Sequence, residues 1–281
     1  MKPNLLVLTD FSPAAERARA YAAALAAALD AELHLVHVFA PLPIPTEAGL
    51  VVPVADERAM LESRSTLEQV AAALPVPATA ELLETDWLEA VQQALQKYRP
   101  ILLVAGLTTT HGLLDEWLSN RALPLPHQTG YPVLLVPEHL PNEALQPPKR
   151  IALSVEDRPF VLGPKAAALA PFLDTLGTDV VTICVLPWED RAGGWVGAQA
   201  AQQCGLTGRM QRSGLHKVVH EEPAVGIQQA INELNSDMLV LLDQGHGWLH
   251  KIFSGSIIGE VLPHMHVPVL LLPARTLPYK D

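Results

Sequence analysis

A repeat constrains this chain more than any other feature. Shifting the sequence by 136 residues lays 81–137 on 217–273 without a gap, and eleven of the 57 positions coincide. Gln92-Gln93-Ala94 falls on Gln228-Gln229-Ala230, and Pro132-Val133-Leu134-Leu135 with Pro137 falls on Pro268-Val269-Leu270-Leu271 with Pro273. Shared Val and Leu alone would say little in a chain that is 49% apolar. A Gln-Gln-Ala triplet and a proline-framed ending in one register point to duplication. Between the copies lies a polar stretch, Glu138 to Arg150, with prolines at 141, 147 and 148. The prediction is a first unit over 1–140, a linker over 141–149 and a second unit over 150–281.

Within the first unit, short apolar runs alternate with longer helical patterns. Strands are expected at Leu5–Leu8, Leu33–Phe39, Ala80–Leu83, Ile101–Ala105 and Val133–Val136. Ser12 with Pro13 reads as an N-cap and first helical residue, opening an Ala-rich helix to about Leu29. Further helices are expected at about Asp56–Leu74, Trp87–Tyr98 and Leu113–Leu123, with a Pro-rich loop after the second strand. The second unit repeats the order through Ile151–Leu153, Val180–Val185, Lys217–Val219, Met238–Leu242 and Val269–Leu272. There Gly193, Gly194 and Gly197 interrupt the second helix. Alternation of this kind implies parallel sheets covered on both faces with right-handed crossovers. Ligands of such sheets sit beyond the carboxyl ends of the strands, where the strand order reverses. The loops after the first and fourth strands are therefore the places to search.

Charge narrows the function. With 19 Lys and Arg against 30 Asp and Glu, the net charge is −11, which argues against a nucleic-acid partner. An anionic small molecule stays open, because backbone N–H groups at a helix start bind phosphate without a cation. No apolar run reaches the ~18 residues of a membrane span. Only four apolar residues, Leu5–Leu8, precede Thr9-Asp10, too few for a secretory signal. The expectation is a cytoplasmic protein without a membrane partner. Cys184 and Cys204 are too few for a disulfide framework, and the eleven histidines lack convergent ligand spacing. His34 and His37 fall on opposite faces of one strand. No nucleophile elbow and no Walker loop occur, so no catalytic residue is assigned.

After the first strand stands Thr9-Asp10-Phe11-Ser12-Pro13. Asp10 has two readings there: a complement to the helix start, or a carboxylate accepting from a ribose or base. Thr-Asp-Phe-Ser, the Ala-rich helix, a strand ending His37-Val38 and the closing Pro-Val-Leu-Leu-Val-Pro together resemble the universal stress protein family, as two domains in tandem. That resemblance implies two Rossmann-like five-stranded parallel sheets of order 3-2-1-4-5 flanked by helices. It also implies ATP or another adenine nucleotide as ligand, with Mg²⁺ beside it. The family's nucleotide-binding members carry Gly-x2-Gly-x9-Gly-(Ser/Thr) after the fourth strand, where the glycines admit the phosphates.

Both halves depart from that pattern. In the second, Gly245, Gly255 and Ser256 match, and Leu242 replaces the first glycine. In the first, Gly106 matches, but Thr109 replaces the second glycine and Ser119-Asn120 the Gly-Ser pair. Asp10 borders the adenosine position in the first half; its nearest equivalents in the second are Ser154 and Val155, with Glu156 and Asp157 displaced along the loop. The second half keeps the phosphate end and is the better nucleotide candidate. The resemblance further implies that the fifth strands pair antiparallel within the chain as a pseudo-dimer, and that the whole chain can form a homodimer. The leading expectation is a non-enzymatic stress-response protein acting through nucleotide-dependent interaction. A non-binding interaction scaffold and a slow ATPase are the alternatives.

Overall fold

The computed structural model describes residues 2–39, 42–45, 51–54, 57–108, 121–208, 214–244, 262 and 265–278. In the first half, strands β1 (Asn4–Leu8), β2 (Glu32–Val38), β5 (Ala78–Leu83), β6 (Leu102–Leu107) and β7 (Val133–Pro137) lie in the order β5-β2-β1-β6-β7. All are parallel, and the order is the expected 3-2-1-4-5. The second half repeats it with β8 (Arg150–Ser154), β10 (Asp179–Leu186), β11 (Leu215–Val219), β12 (Met238–Asp243) and β13 (Val269–Thr276), ordered β11-β10-β8-β12-β13.

The two sets fuse into one sheet. β13 pairs antiparallel with β7 through Val269↔Leu135, Leu270↔Leu134 and Leu271↔Val133. Under the 136-residue shift this pairing maps onto itself, with Leu134 and Leu270 on the pseudo-two-fold axis. Val133, Leu134 and Leu135 are fully buried and Leu270 and Leu271 nearly so, because each apolar fifth strand covers the open edge of the other. Apolar clusters on both faces of the sheet draw side chains from both halves.

Helices α1 (Pro13–Leu29), α2 (Glu57–Ala72), α3 (Trp87–Tyr98) and α4 (Leu125–Thr129) belong to the first half. Ser12 caps α1, its hydroxyl accepting Ala15 N–H at 3.2 Å ahead of Pro13, as the sequence suggests. Helix α1 buries Ala14, Ala15, Ala18, Ala22 and Ala26, side chains short enough to let it lie close on the sheet. A Cβ on Gly106 would lie 2.4 Å from the Ala14 carbonyl carbon. Gly106 thus allows α1 to reach the end of β6, a packing role, beside the phosphate role that the resemblance implies for it.

The second half carries α5 (Pro164–Ala167), α6 (Ala170–Leu176), α7 (Trp195–Gln203) and α8 (Pro223–Leu234). Helix α3 corresponds to α8 under the same shift, down to left-handed C-caps at Arg99 (φ 45°) and Asn235 (φ 48°). The segment after the first strand does not correspond. Four residues separate β1 from α1, whereas nine separate β8 from α5. That longer stretch holds β9 (Phe160–Leu162), which pairs antiparallel with Ala274–Thr276 at the extended end of β13.

Three features differ from the sequence expectation. The Pro-rich loop after β2 holds a separate two-stranded sheet, β3 (Leu42–Pro45) with β4 (Val51–Val54). β9 was not foreseen. Gly193, Gly194 and Gly197 start a helix instead of breaking one: Gly194 (φ 91°) is the N-cap of α7, and Gly197 lies in its first turn. The expected helix at Leu113–Leu123 lies largely outside the described residues. If Gly106 exists for close packing, Gly106→Val lowers the unfolding free energy by about 2 kcal/mol or more in urea titration, through overpacking against Ala14.

Candidate functional site

In the second half a cavity of about 200 Å³ opens at the carboxyl ends of β8, β10 and β12. It lies where the strand order reverses, between the first and fourth strands of that half. Val155, Val185, Pro223, Ile227 and Leu242 form its apolar walls. Polar groups come from Ser154, Glu156, Asp157 and Gln244. Ser154 is only 8% exposed, and it lines the cavity at the end of β8.

Backbone hydrogen bonds define which loop residues correspond. Val155 N–H donates to Ile183 O at 3.0 Å, as Thr9 N–H donates to Val36 O at 3.0 Å. The residue after each is therefore equivalent: Glu156 takes the place of Asp10. Ser154 and Val155, the expected counterparts, correspond instead to Leu8 and Thr9, the last residue of β1 and the one after it. Ser154 nevertheless lines the cavity, from the floor. Asp157 reaches across to α7, its Oδ1 accepting Val196 N–H at 2.9 Å and Gly197 N–H at 3.3 Å. A Cβ on Gly197 would lie 2.0 Å from Glu156 O, so the glycine sets how closely α7 supports this acidic loop. Glu156 meets Arg158 Nε at 3.7 Å on the surface, a weak pairing.

Leu242 takes the position equivalent to Gly106. Its side chain stands in the cavity wall. Gln244, two residues on, accepts a hydrogen bond from Thr276 Oγ1 through its Oε1.

The first-half loop is organised differently. Asp10 Oδ1 accepts both Ser12 N–H (3.0 Å) and Ser12 O–H (2.6 Å), so this carboxylate steadies the cap of α1. Thr9 is nearly buried; its hydroxyl accepts from Arg19 at 3.0 Å and its carbonyl from His37 Nδ1 at 2.8 Å. Phe11, in the left-handed region at φ 64°, lies 4.6 Å from the His37 ring. Of the six expected site residues, Ser154 lines the cavity, while Asp10 precedes α1, and Gly106, near the end of β6, packs against its first turn. Gly245, Gly255 and Ser256 lie outside the described residues. Val185, Pro223, Ile227 and Gln244 were missed by the sequence reading. Pro223 as first residue of α8, with Ile227 one turn on, was the available signal.

Elsewhere, burial dominates the titrating groups. Burial pushes the Cys184 thiol up to about 12, the behaviour of a core residue. Among the described residues, no three His, Cys, Asp or Glu side chains gather as metal ligands. Nor is any described helix long and apolar enough to cross a membrane. His34 stacks on Tyr98 at 4.0 Å with Nδ1 2.8 Å from Thr79 Oγ1, and its Nε2 is buried without a partner.

Comparison with known proteins decides the family. The sequence matches the universal stress protein family over residues 1–137 and 198–273. The chain belongs to this family. The unmatched stretch, 138–197, holds β8, β9 and β10, and with them Ser154, Glu156, Asp157 and Val185 of the cavity. No curated protein matches the sequence. In fold the chain is similar to a universal stress protein from Archaeoglobus fulgidus DSM 4304, at 16% identity and a TM-score of 0.65, with 96% of each chain covered. It is also similar to a putative universal stress protein from Pseudomonas aeruginosa UCBPP-PA14, at 15% identity and a TM-score of 0.55, covering 98% of this chain and 94% of the other. A third is the cytoplasmic domain of a prokaryotic cation chloride cotransporter, at 11% identity and a TM-score of 0.52, covering 97% and 95%.

Burial lowers the affinity of His34 and His37 for protons below the ordinary 6.5. The unfolded chain takes up those protons first, so stability is full above the unfolded value and declines as pH falls from there towards the folded values. Thermal melts between about pH 8 and pH 5 will show this decline, and the double variant His34→Gln/His37→Gln will flatten it.

Proposed function

We propose that this universal stress family member is a non-enzymatic binding protein whose second-half cavity takes an adenine nucleotide. Occupancy would alter the surface offered to a partner, by the difference in affinity for two conformations. The observation that carries the reading is the cavity itself. It opens at the sheet's switch point, with Ser154, Glu156, Asp157 and Gln244 as the polar part of its lining. The family resemblance supplies the adenine class. Residues 1–140 and 150–281, joined by 141–149, are taken as the two duplicated units, and Mg²⁺ as the companion of any bound triphosphate.

A scaffold that binds no nucleotide is the second reading. It is favoured by Leu242 in the cavity wall and by the use of Asp10 and Gly106 at the start of α1. Calorimetric titration with AMP, and with ATP and Mg²⁺, separates the two. Val185→Phe fills the cavity and is expected to weaken binding at least about tenfold, or 1.4 kcal/mol. Asp10→Ala in the other half leaves binding unchanged. Absence of heat with every adenine nucleotide would establish the scaffold instead, and phosphate release above blank would establish a slow ATPase.

A further inference from the structure

We infer that the second-half cavity reads the nucleoside end of its ligand and discriminates against phosphate, so that adenosine binds more tightly than its mono-, di- and triphosphates. This rests on the adenine reading above and goes beyond it by ranking the ligands.

Size comes first. At about 200 Å³ the cavity is smaller than the ~300–1,000 Å³ usual for drug-sized ligands, and suits a base with its sugar better than a full triphosphate. Its chemistry agrees. The described lining holds two carboxylates, Glu156 and Asp157, and no cationic side chain. Carboxylates accept hydrogen bonds from ribose hydroxyls and base amino groups, and they repel phosphate. Asp157 already serves the amides of α7, whereas Glu156 has only the weak 3.7 Å pairing with Arg158 and is the carboxylate more easily turned to a ligand. The start of α8 at Pro223 contributes a partial positive charge, smaller than either full negative charge.

Two side chains then orient the guest. Ser154, 8% exposed and in the cavity lining, offers a hydroxyl that donates or accepts. Leu242 replaces the glycine through which backbone would approach an anion, so this wall is apolar. Ser154, Glu156 and Asp157 all lie in the stretch outside the family match.

The test is calorimetry on the full chain with adenosine, AMP, ADP and ATP at low and at physiological salt. Adenosine should bind about tenfold more tightly than ATP at low salt, with the gap narrowing as salt screens the carboxylates. Glu156→Gln should narrow the gap by improving ATP binding. Ser154→Ala should weaken adenosine about fivefold, the value of one hydrogen bond, while the free protein melts at the same or a higher temperature. ATP binding more tightly than adenosine overturns the ranking and leaves the adenine reading intact. An adenosine-to-ATP ratio unchanged in Glu156→Gln overturns the electrostatic basis. No binding of any adenine compound overturns both.

Discussion

The antiparallel meeting of β7 and β13 is the interaction on which the rest depends. A parallel sheet whose last strand reads Val-Leu-Leu-Val or Val-Leu-Leu-Leu has a fully apolar edge, with backbone donors and acceptors unpaired along it. Left in water, that edge would recruit another strand. Duplication places a second copy of the same edge on the same chain, and the self-complementary register centred on Leu134 and Leu270 covers both at once. Because side chains of β7 and β13 also sit in the apolar clusters of both faces, the seam ties helix packing in one half to that in the other. The pairing arises from the sequence duplication itself: the mapping that relates the halves also relates the partners.

Symmetry at the seam makes the asymmetry at the crevices informative. In the first half α1 follows β1 after only four residues, and small residues on both sides, Ala14 and Gly106, bring helix and strand into close contact. In the second half β9 fills the extra length and pairs with a lengthened β13, so the helix begins farther on. Leu242 stands where the first half has Gly106, in the wall of the cavity. A single local change, strand instead of helix after β8, thus goes with the longer β13 that pairs with it.

Most of the architecture was legible because it is written in local patterns of the right period. The ten main strands were readable as short apolar runs; Ser12-Pro13 located the start of α1, and Trp87–Tyr98 was read with both its bounds. What escaped depends on partners distant in sequence. β9 is three residues long and is a strand only because Ala274–Thr276 extends to meet it. The β3–β4 ladder pairs proline opposite proline at Pro43 and Pro53, a composition that reads as loop. Gly193, Gly194 and Gly197 look like breakers in isolation. Gly197 is needed because Glu156 O lies where a Cβ would be, a contact made across forty-one residues of sequence. Likewise Glu156 becomes the counterpart of Asp10 only when the ladder to β10 sets the register.

The candidate site shows why motif matching and cavity geometry diverge. Asp10 and Gly106 match the family pattern, yet in this chain Asp10 spends its carboxylate on the cap of α1 and Gly106 lets the same helix close in. A residue already holding a helix start has less to offer a guest. Ser154 matches no family motif, yet it lines the cavity and its hydroxyl is not spent on a helix start. Binding energy is available where a polar group gains a bond it does not already have. By that criterion the stretch from Ser154 to Asp157 has more to say about what this chain binds than the glycines that first suggested a ligand.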